Sequence, residues 1–224
     1  MSNITETCFA ITKEQYVKRV ANNDMQSQWD GISFEEVVPP RYAVFLSNLK
    51  KVGEEWGWDL MKNRFNEAVM KPKLSDPKTK LRVFLEDDND NGLKRVGYVL
   101  AVPADQKLKA QFWGGSNPEV MELVTIGLYP EECGQGKGWP YFEMQFKDLF
   151  ENHGYDVVYW SSSSSNHPNL VDFYKRMGIE VLETREVPDH RISKIKHKSF
   201  DVLVANNNTA PRHDSNASKR RVAL

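Results

Sequence analysis

The sequence predicts a single α/β domain built on a central mixed sheet, and three observations lead there. Helical and strand-like stretches interleave in the order helix, helix, hairpin, strand, helix, strand, helix, strand, strand, which suits one mixed sheet better than separate all-α and all-β units. The stretch 122–140, E-L-V-T-I-G-L-Y-P-E-E-C-G-Q-G-K-G-W-P, reads as a strand that breaks into glycines just before a helix. The run D-V-V-Y-W at 156–160 is short, apolar and bounded by Gly154 and the serines 161–165, the pattern of a buried strand.

Composition narrows the class. At 224 residues the chain is long enough to bury a real core, and 40% hydrophobic with 27% charged residues is ordinary for a soluble globular protein. A net charge of −1 gives no bulk attraction to nucleic acid or an anionic membrane, so neither is an expected partner. The two cysteines, Cys8 and Cys133, form neither a metal-ligand spacing nor a disulfide framework, which fits a reducing compartment. No apolar run approaches the ~20 residues that span a bilayer, and the first residues lack a basic-then-apolar signal pattern. A cytoplasmic location and no metal are expected.

In chain order, Cys8–Ile11 reads as a short strand, and Thr12-Lys-Glu-Gln15 as a capping box opening a helix that carries Tyr16, Val17 and Val20. Residues 24–40 read as a loop. A second helix from Arg41 carries Val44, Phe45, Leu49 and Val52, then resumes through Met61 and Phe65 past Trp56 and Trp58, which line core or groove. A Pro- and Lys-rich connection fills 71–80. Leu81–Glu86 and Val96–Val102 alternate as a hairpin around Asn91-Gly92. The intervening Asp-rich loop lacks the later Glu of a calcium loop, so a solvated turn is expected. Residues 104–118 read as a flexible loop, and the helix after the glycines runs from Trp139 to about Asn152, with Phe142, Phe146, Leu149 and Phe150 inward. Asn166-His167-Pro168 starts the next helix, striped by Leu170, Phe173, Tyr174 and Met177 and stopped at Gly178. Strand-like runs follow at Ile179–Val187 and Ser199–Ala205. The expectation is one domain over 1–205, with a helical part at 1–80 and the core sheet at 81–205, then a flexible tail at 206–224.

A strand that ends in glycines before a helix lets backbone approach an anion, and the helix end offers it unpaired N–H groups and partial positive charge. Gln135-Gly136-Lys137-Gly138-Trp139-Pro140 resembles the phosphate loop Q/R-x-x-G-x-G/A of the GNAT superfamily of acyl-CoA-dependent N-acyltransferases, and Phe173-Tyr174-Lys-Arg-Met-Gly178-Ile179 resembles the motif of its next helix. Pro140 departs from the family's Gly or Ala, and the loop is two residues longer than usual. The resemblance implies a GNAT-like sheet of about six to seven strands flanked by helices. It implies acetyl-CoA as co-substrate and a small-molecule or peptide amine as acceptor. Acyl transfer from a thioester needs the amine deprotonated, the oxyanion held and the thiolate protonated. By the resemblance, backbone at Ile126, Gly127 and Leu128 holds the donor's arm, and Gln135, Gly136, Lys137, Gly138 and Trp139 hold its pyrophosphate. Tyr174 is then the general acid, or else a core aromatic. Glu122, sharing a face with Val124, Ile126 and Leu128, is a general base or a solvated strand-end carboxylate. His167 is a second candidate base or a helix cap, Ser161–Ser165 an acceptor channel or a plain loop. Cys133 is expected to be inert, and Arg191, Lys194, Lys196 and Lys198 a guard on a strand edge. The rival expectation is a GNAT-fold protein without catalysis that serves assembly, such as a phage virion component, in a homo-oligomer or with another partner.

Overall fold

The computed structural model of the protein describes residues 3–22, 31–38, 40–56, 65–88, 92–164, 166 and 169–188. Its elements are β1 (Asn3–Thr12), α1 (Lys13–Ala21), β2 (Ile32–Glu36), α2 (Arg41–Trp56), α3 (Glu67–Ser75), β3 (Lys80–Asp88), β4 (Gly92–Pro103) and α4 (Gln106–Trp113). They continue with β5 (Val120–Leu128), α5 (Gly138–Lys147), β6 (Val157–Ser163), α6 (Leu170–Arg176) and β7 (Glu180–Pro188). The strands form one seven-stranded mixed sheet in the order β2-β3-β4-β5-β6-β1-β7. Among the described strands only β5 and β6 run parallel, joined by the crossover through α5.

The hydrophobic pattern of each helix decides which face it covers. On one face α1, α5 and α6 bury Tyr16, Phe142, Phe146 and Tyr174 against Phe9, Met121, Leu123, Val158 and Trp160. On the other, α2 and α3 bury Phe45, Leu49, Met70 and Leu74 against Tyr98, Leu100 and Val102. Beside them α4 lays Leu108 and Phe112 over Cys8, Ala10 and Tyr159. Among the described residues no helix is long and apolar enough to cross a membrane.

Local signals hold where side chains close backbone groups. Thr12 Oγ1 accepts from Gln15 N–H at 3.1 Å, and Gln15 Oε1 accepts from Thr12 N–H at 2.7 Å, completing the capping box. The hairpin β3–β4 forms as expected, with a register shift between Phe84 and Leu85.

Elsewhere the structure departs from the sequence reading. The first strand is longer than Cys8–Ile11 and lies inside the sheet, paired with both β6 and β7. The reading of 24–40 as loop misses β2, an edge strand on β3. The connection at 71–80 contains most of α3, which tolerates Pro72 because Asn66 caps its start and Met70 and Leu74 anchor it. The loop at 104–118 contains α4, whose cap is Asp105 Oδ1 accepting from Leu108 N–H at 2.8 Å. The helix after the glycines reaches Asn152 as expected, but its last turn, Asp148–Asn152, is π-helical. β6 runs past Trp160, because Ser161, Ser162 and Ser163 find partners in Cys8, Thr7 and Glu6. The resumption through Met61, the tryptophan at 58, His167 and Pro168, the basic run and the strand at 199–205 lie outside the described residues.

Candidate functional site

β5 and β6 pair only from Val120↔Val157 to Leu123↔Trp160. Past that point β6 stays with β1 as far as Ser163, while β5 stays with β4 as far as Leu128. The two parallel strands therefore part. Tyr129 N–H donates to Val96 O at 2.8 Å, and antiparallel alternation then turns the N–H groups of Leu128 and Ile126 toward the gap. A cavity of about 640 Å³ lies along the free edge of β5 at this opening. Its walls include Ile126, Gly127 and Leu128 of β5, the loop residues Cys133, Gly134, Gly136 and Lys137, Gly138 and Trp139 of α5, and Asn169, Leu170, Asp172, Phe173, Tyr174 and Arg176 at the start and along one side of α6.

The loop is shaped by backbone that only glycine adopts readily. Gly134 and Gly136 have φ of 78° and 75°, and a Cβ built on Gly136 or Gly138 would meet nothing within 4 Å. That open cradle leads into the N-terminus of α5, whose first-turn N–H groups have no intrahelical partner. Pro140 is the third residue of this helix, so its missing N–H removes one of those donors without breaking the ladder. The cradle suits an anionic group, and the apolar wall beyond it suits an extended arm.

Charge at the cradle is balanced internally. Lys137 Nζ donates to Glu86 Oε2 at 2.6 Å and to Glu132 Oε2 at 3.1 Å, and the Glu86 contact holds its ammonium above the usual lysine range. Burial works to raise the Glu132 carboxyl, but hydrogen bonds from Lys94 and Lys137 outweigh it and hold that group below its ordinary value. Gln135 lies outside the cavity wall, its Nε2 donating to Glu131 O at 3.1 Å. Trp139 is held by Glu143 Oε1 at 2.7 Å and packs edge-on to Phe173, lining the groove without filling it.

Tyr174 lines the cavity from a core position, 3% exposed, with ring centroids 5.0 Å from Phe9, 5.4 Å from Phe142 and 5.5 Å from Trp160. Burial pushes its hydroxyl above the ordinary tyrosine value. Cys133 Sγ lies 3.4 Å from Tyr129 O, tucked against the end of β5.

Glu122 is not where the alternation places it. A register shift between Leu100 and Ala101 inserts Val124 as an extra residue in β5. Ile126 and Leu128 then pack on the α5–α6 side, while Val124 packs on the α2–α3 side. Glu122 stands on the α2–α3 side too, 3.6 Å from Lys73 of α3. Gly127 does mark a close approach, but the neighbour is Val52 of α2, whose Cγ1 would sit 3.0 Å from an added Cβ. Sequence reasoning also missed Arg176, whose three-residue spacing from Phe173 was the available signal, and Glu86, for which there was none. Ser161 Oγ donates to Glu6 Oε1 at 2.8 Å, so that serine ties β6 to β1. Among the described residues no group of His, Cys, Asp and Glu could hold a metal ion.

No protein-family model and no curated protein matches the sequence. Solved structures do. A functionally unknown conserved protein from Staphylococcus epidermidis superposes with a TM-score of 0.52 at 12% identity, over 85% of this chain and 63% of its own. A GCN5-related N-acetyltransferase from Sphaerobacter thermophilus gives 0.49 at 16% identity, over 87% and 56%. A tandem GNAT protein from the clavulanic acid biosynthesis pathway gives 0.49 at 13%, over 84% and 55%. This chain thus spans 63%, 56% and 55% of the lengths of these structures. Likeness at such identity speaks to architecture alone. The chain shares the architecture of the Staphylococcus epidermidis protein, and its seven-stranded mixed sheet, parted parallel strands and glycine loop agree with the GNAT-like fold that the sequence motifs imply.

Proposed function

We propose that this chain is an N-acyltransferase that takes an acetyl group from acetyl-CoA and passes it directly to a primary amine of a small molecule or peptide. The observation that carries the reading is the parting of β5 and β6 after Leu123 and Trp160, which leaves an open cavity ending on the glycine loop. A cavity of this size lies within the range that holds cofactor-sized ligands.

Backbone N–H groups of Gly136, Lys137, Gly138 and Trp139, at the positive end of α5, hold the pyrophosphate. The inward N–H groups of Ile126 and Leu128 hold the pantetheine arm and the thioester carbonyl, with Gly127 between them. The donor supplies an activated acyl group. Tyr174, whose phenol carries its proton at neutral pH, gives it to the departing thiolate. Glu122 faces the opposite side of the sheet, so it serves as base only for an amine that approaches from the α2–α3 side.

Calorimetric titration of the protein with acetyl-CoA tests the first half of this reading. Saturable binding with a raised melting temperature is expected; no heat and no shift at millimolar acetyl-CoA would sink it. Mass spectrometry of a panel of amines incubated with protein and acetyl-CoA tests the second half and identifies the acceptor.

One observation favours a second reading, a GNAT-fold protein without catalysis that serves a homo-oligomer or another assembly, as in a virion. The lysine of the glycine loop is tied to two carboxylates. Binding of acetyl-CoA without any acetylated amine across the panel would select it.

A further inference from the structure

Among the described residues two cations line the cavity, Lys137 and Arg176. They differ in what they are free to do. Lys137 sits between Glu86 and Glu132, with both carboxylates within hydrogen-bond distance. An incoming phosphate must compete with both for its ammonium. Arg176 has no carboxylate within ion-pair distance among the described residues, including Asp172 one turn before it. It belongs to a groove-facing stripe of α6 in which Asn169, Asp172, Phe173 and Arg176 fall at i, i+3, i+4 and i+7. Phe173 packs edge-on to Trp139, so the stripe stands against the start of α5, where the glycine loop ends.

We infer that Arg176 is a specificity-determining residue of the donor site, pairing with a phosphate of the nucleotide end of the donor. The inference rests on the acyl-CoA reading above and adds to it. The glycine loop provides neutral N–H donors to the pyrophosphate, and its own lysine is committed. Coenzyme A also carries a 3′-phosphate, a dianion that backbone at one helix end does not neutralise. A guanidinium offers paired N–H donors in a planar fork that matches phosphate oxygens. The uncommitted arginine on the facing helix supplies what the loop lacks.

The test is calorimetric titration of the full chain and of Arg176→Gln and Arg176→Lys with three probes: coenzyme A, 3′-dephospho-coenzyme A and pantetheine. Arg176→Gln is expected to weaken coenzyme A about five- to tenfold, as for a charge-assisted contact partly screened by water, and Arg176→Lys less. Pantetheine, which has no phosphate, should bind both variants as it binds the parent. A loss confined to coenzyme A assigns the contact to the 3′-phosphate; an equal loss with the dephospho form assigns it to the pyrophosphate. Unchanged coenzyme A affinity in Arg176→Gln, or an equal loss for pantetheine, overturns the inference and leaves the acyl-CoA reading standing. A parent protein that binds none of the probes overturns both.

Discussion

The two halves of β5 contrast more sharply than any two separate elements of the molecule. From Val120 to Leu123 the strand has a partner on each side and its side chains are almost wholly buried. From Val124 to Leu128 it keeps β4 but loses β6, and all but Thr125 become partly exposed. The first half uses its backbone to close the sheet. The second half leaves backbone donors facing a cavity. One strand thus serves as scaffold and as binding edge, and the change occurs within one or two residues of the bulge at Val124. The bulge also explains why a base at Glu122 and a donor along Ile126 and Leu128 would act from opposite faces.

The largest expected effect lies in the paired half. Leu123→Ala removes a side chain that is 3% exposed and should cost about 3 kcal/mol in urea denaturation, with coenzyme A affinity little changed. Equal damage to stability and binding would erase the contrast between the halves. Next comes Tyr174→Phe. Its hydroxyl has no hydrogen-bond partner among the described residues, so stability should move by no more than about 0.5 kcal/mol. Turnover should fall about a hundredfold if the hydroxyl delivers the proton. Unchanged turnover would return Tyr174 to a packing role.

Burial gives that tyrosine a pH signature. Below about pH 10 the hydroxyl is protonated in folded and unfolded chains alike, so it contributes no pH dependence. Above that the unfolded chain ionises first, and stability falls as pH rises. Tyr98, also fully buried and raised, acts in the same direction. Equilibrium unfolding from pH 8 to 11, compared between the protein and Tyr174→Phe, should show a shallower alkaline loss in the variant.

Smaller effects sharpen the open half. Gly127→Ala pushes a methyl onto Val52 and should cost about 1 kcal/mol, with donor affinity reduced, because the backbone at the gap must give way. Glu86→Gln removes one of the two carboxylates holding Lys137 and should tighten coenzyme A about threefold. No change, measured by calorimetry, would mean that Glu132 alone suffices to hold that lysine.

Much of this was legible in the residues because the signals were local. The strand, glycines and helix at 122–140 stand where periodicity and turn chemistry put them, as does Tyr174 on the stripe of α6. What escaped depends on tertiary partners. α3 carries a proline and lysines that read as a linker, and it is a helix because Met70 and Leu74 find the apolar face of β4. α4 had a cap in Asp105 and apolar residues at Leu108 and Phe112, a signal obscured by the glycines after it. The facing of Glu122 could not be read from alternation, since one inserted residue reverses it and nothing in the sequence of β5 announces the insertion. The tie from Glu86 to Lys137 joins residues that only the sheet brings together.

The position of β1 has a consequence for how the molecule comes into being. This strand lies between β6 and β7, with Thr12 opposite Val157 and Asn3 opposite Pro188. During synthesis it leaves the ribosome well before either neighbour exists, and two edges of unpaired backbone must wait for nearly the whole domain. Pairings of such sequence separation are slow to form, and the waiting strand is apolar in its Cys8–Ile11 stretch. Closure of the sheet around β1 is therefore expected to be the late, rate-limiting event of folding. A chaperone that shields this segment would raise the yield of native protein more than one that acts on the β3–β4 hairpin, whose strands meet as soon as they are made.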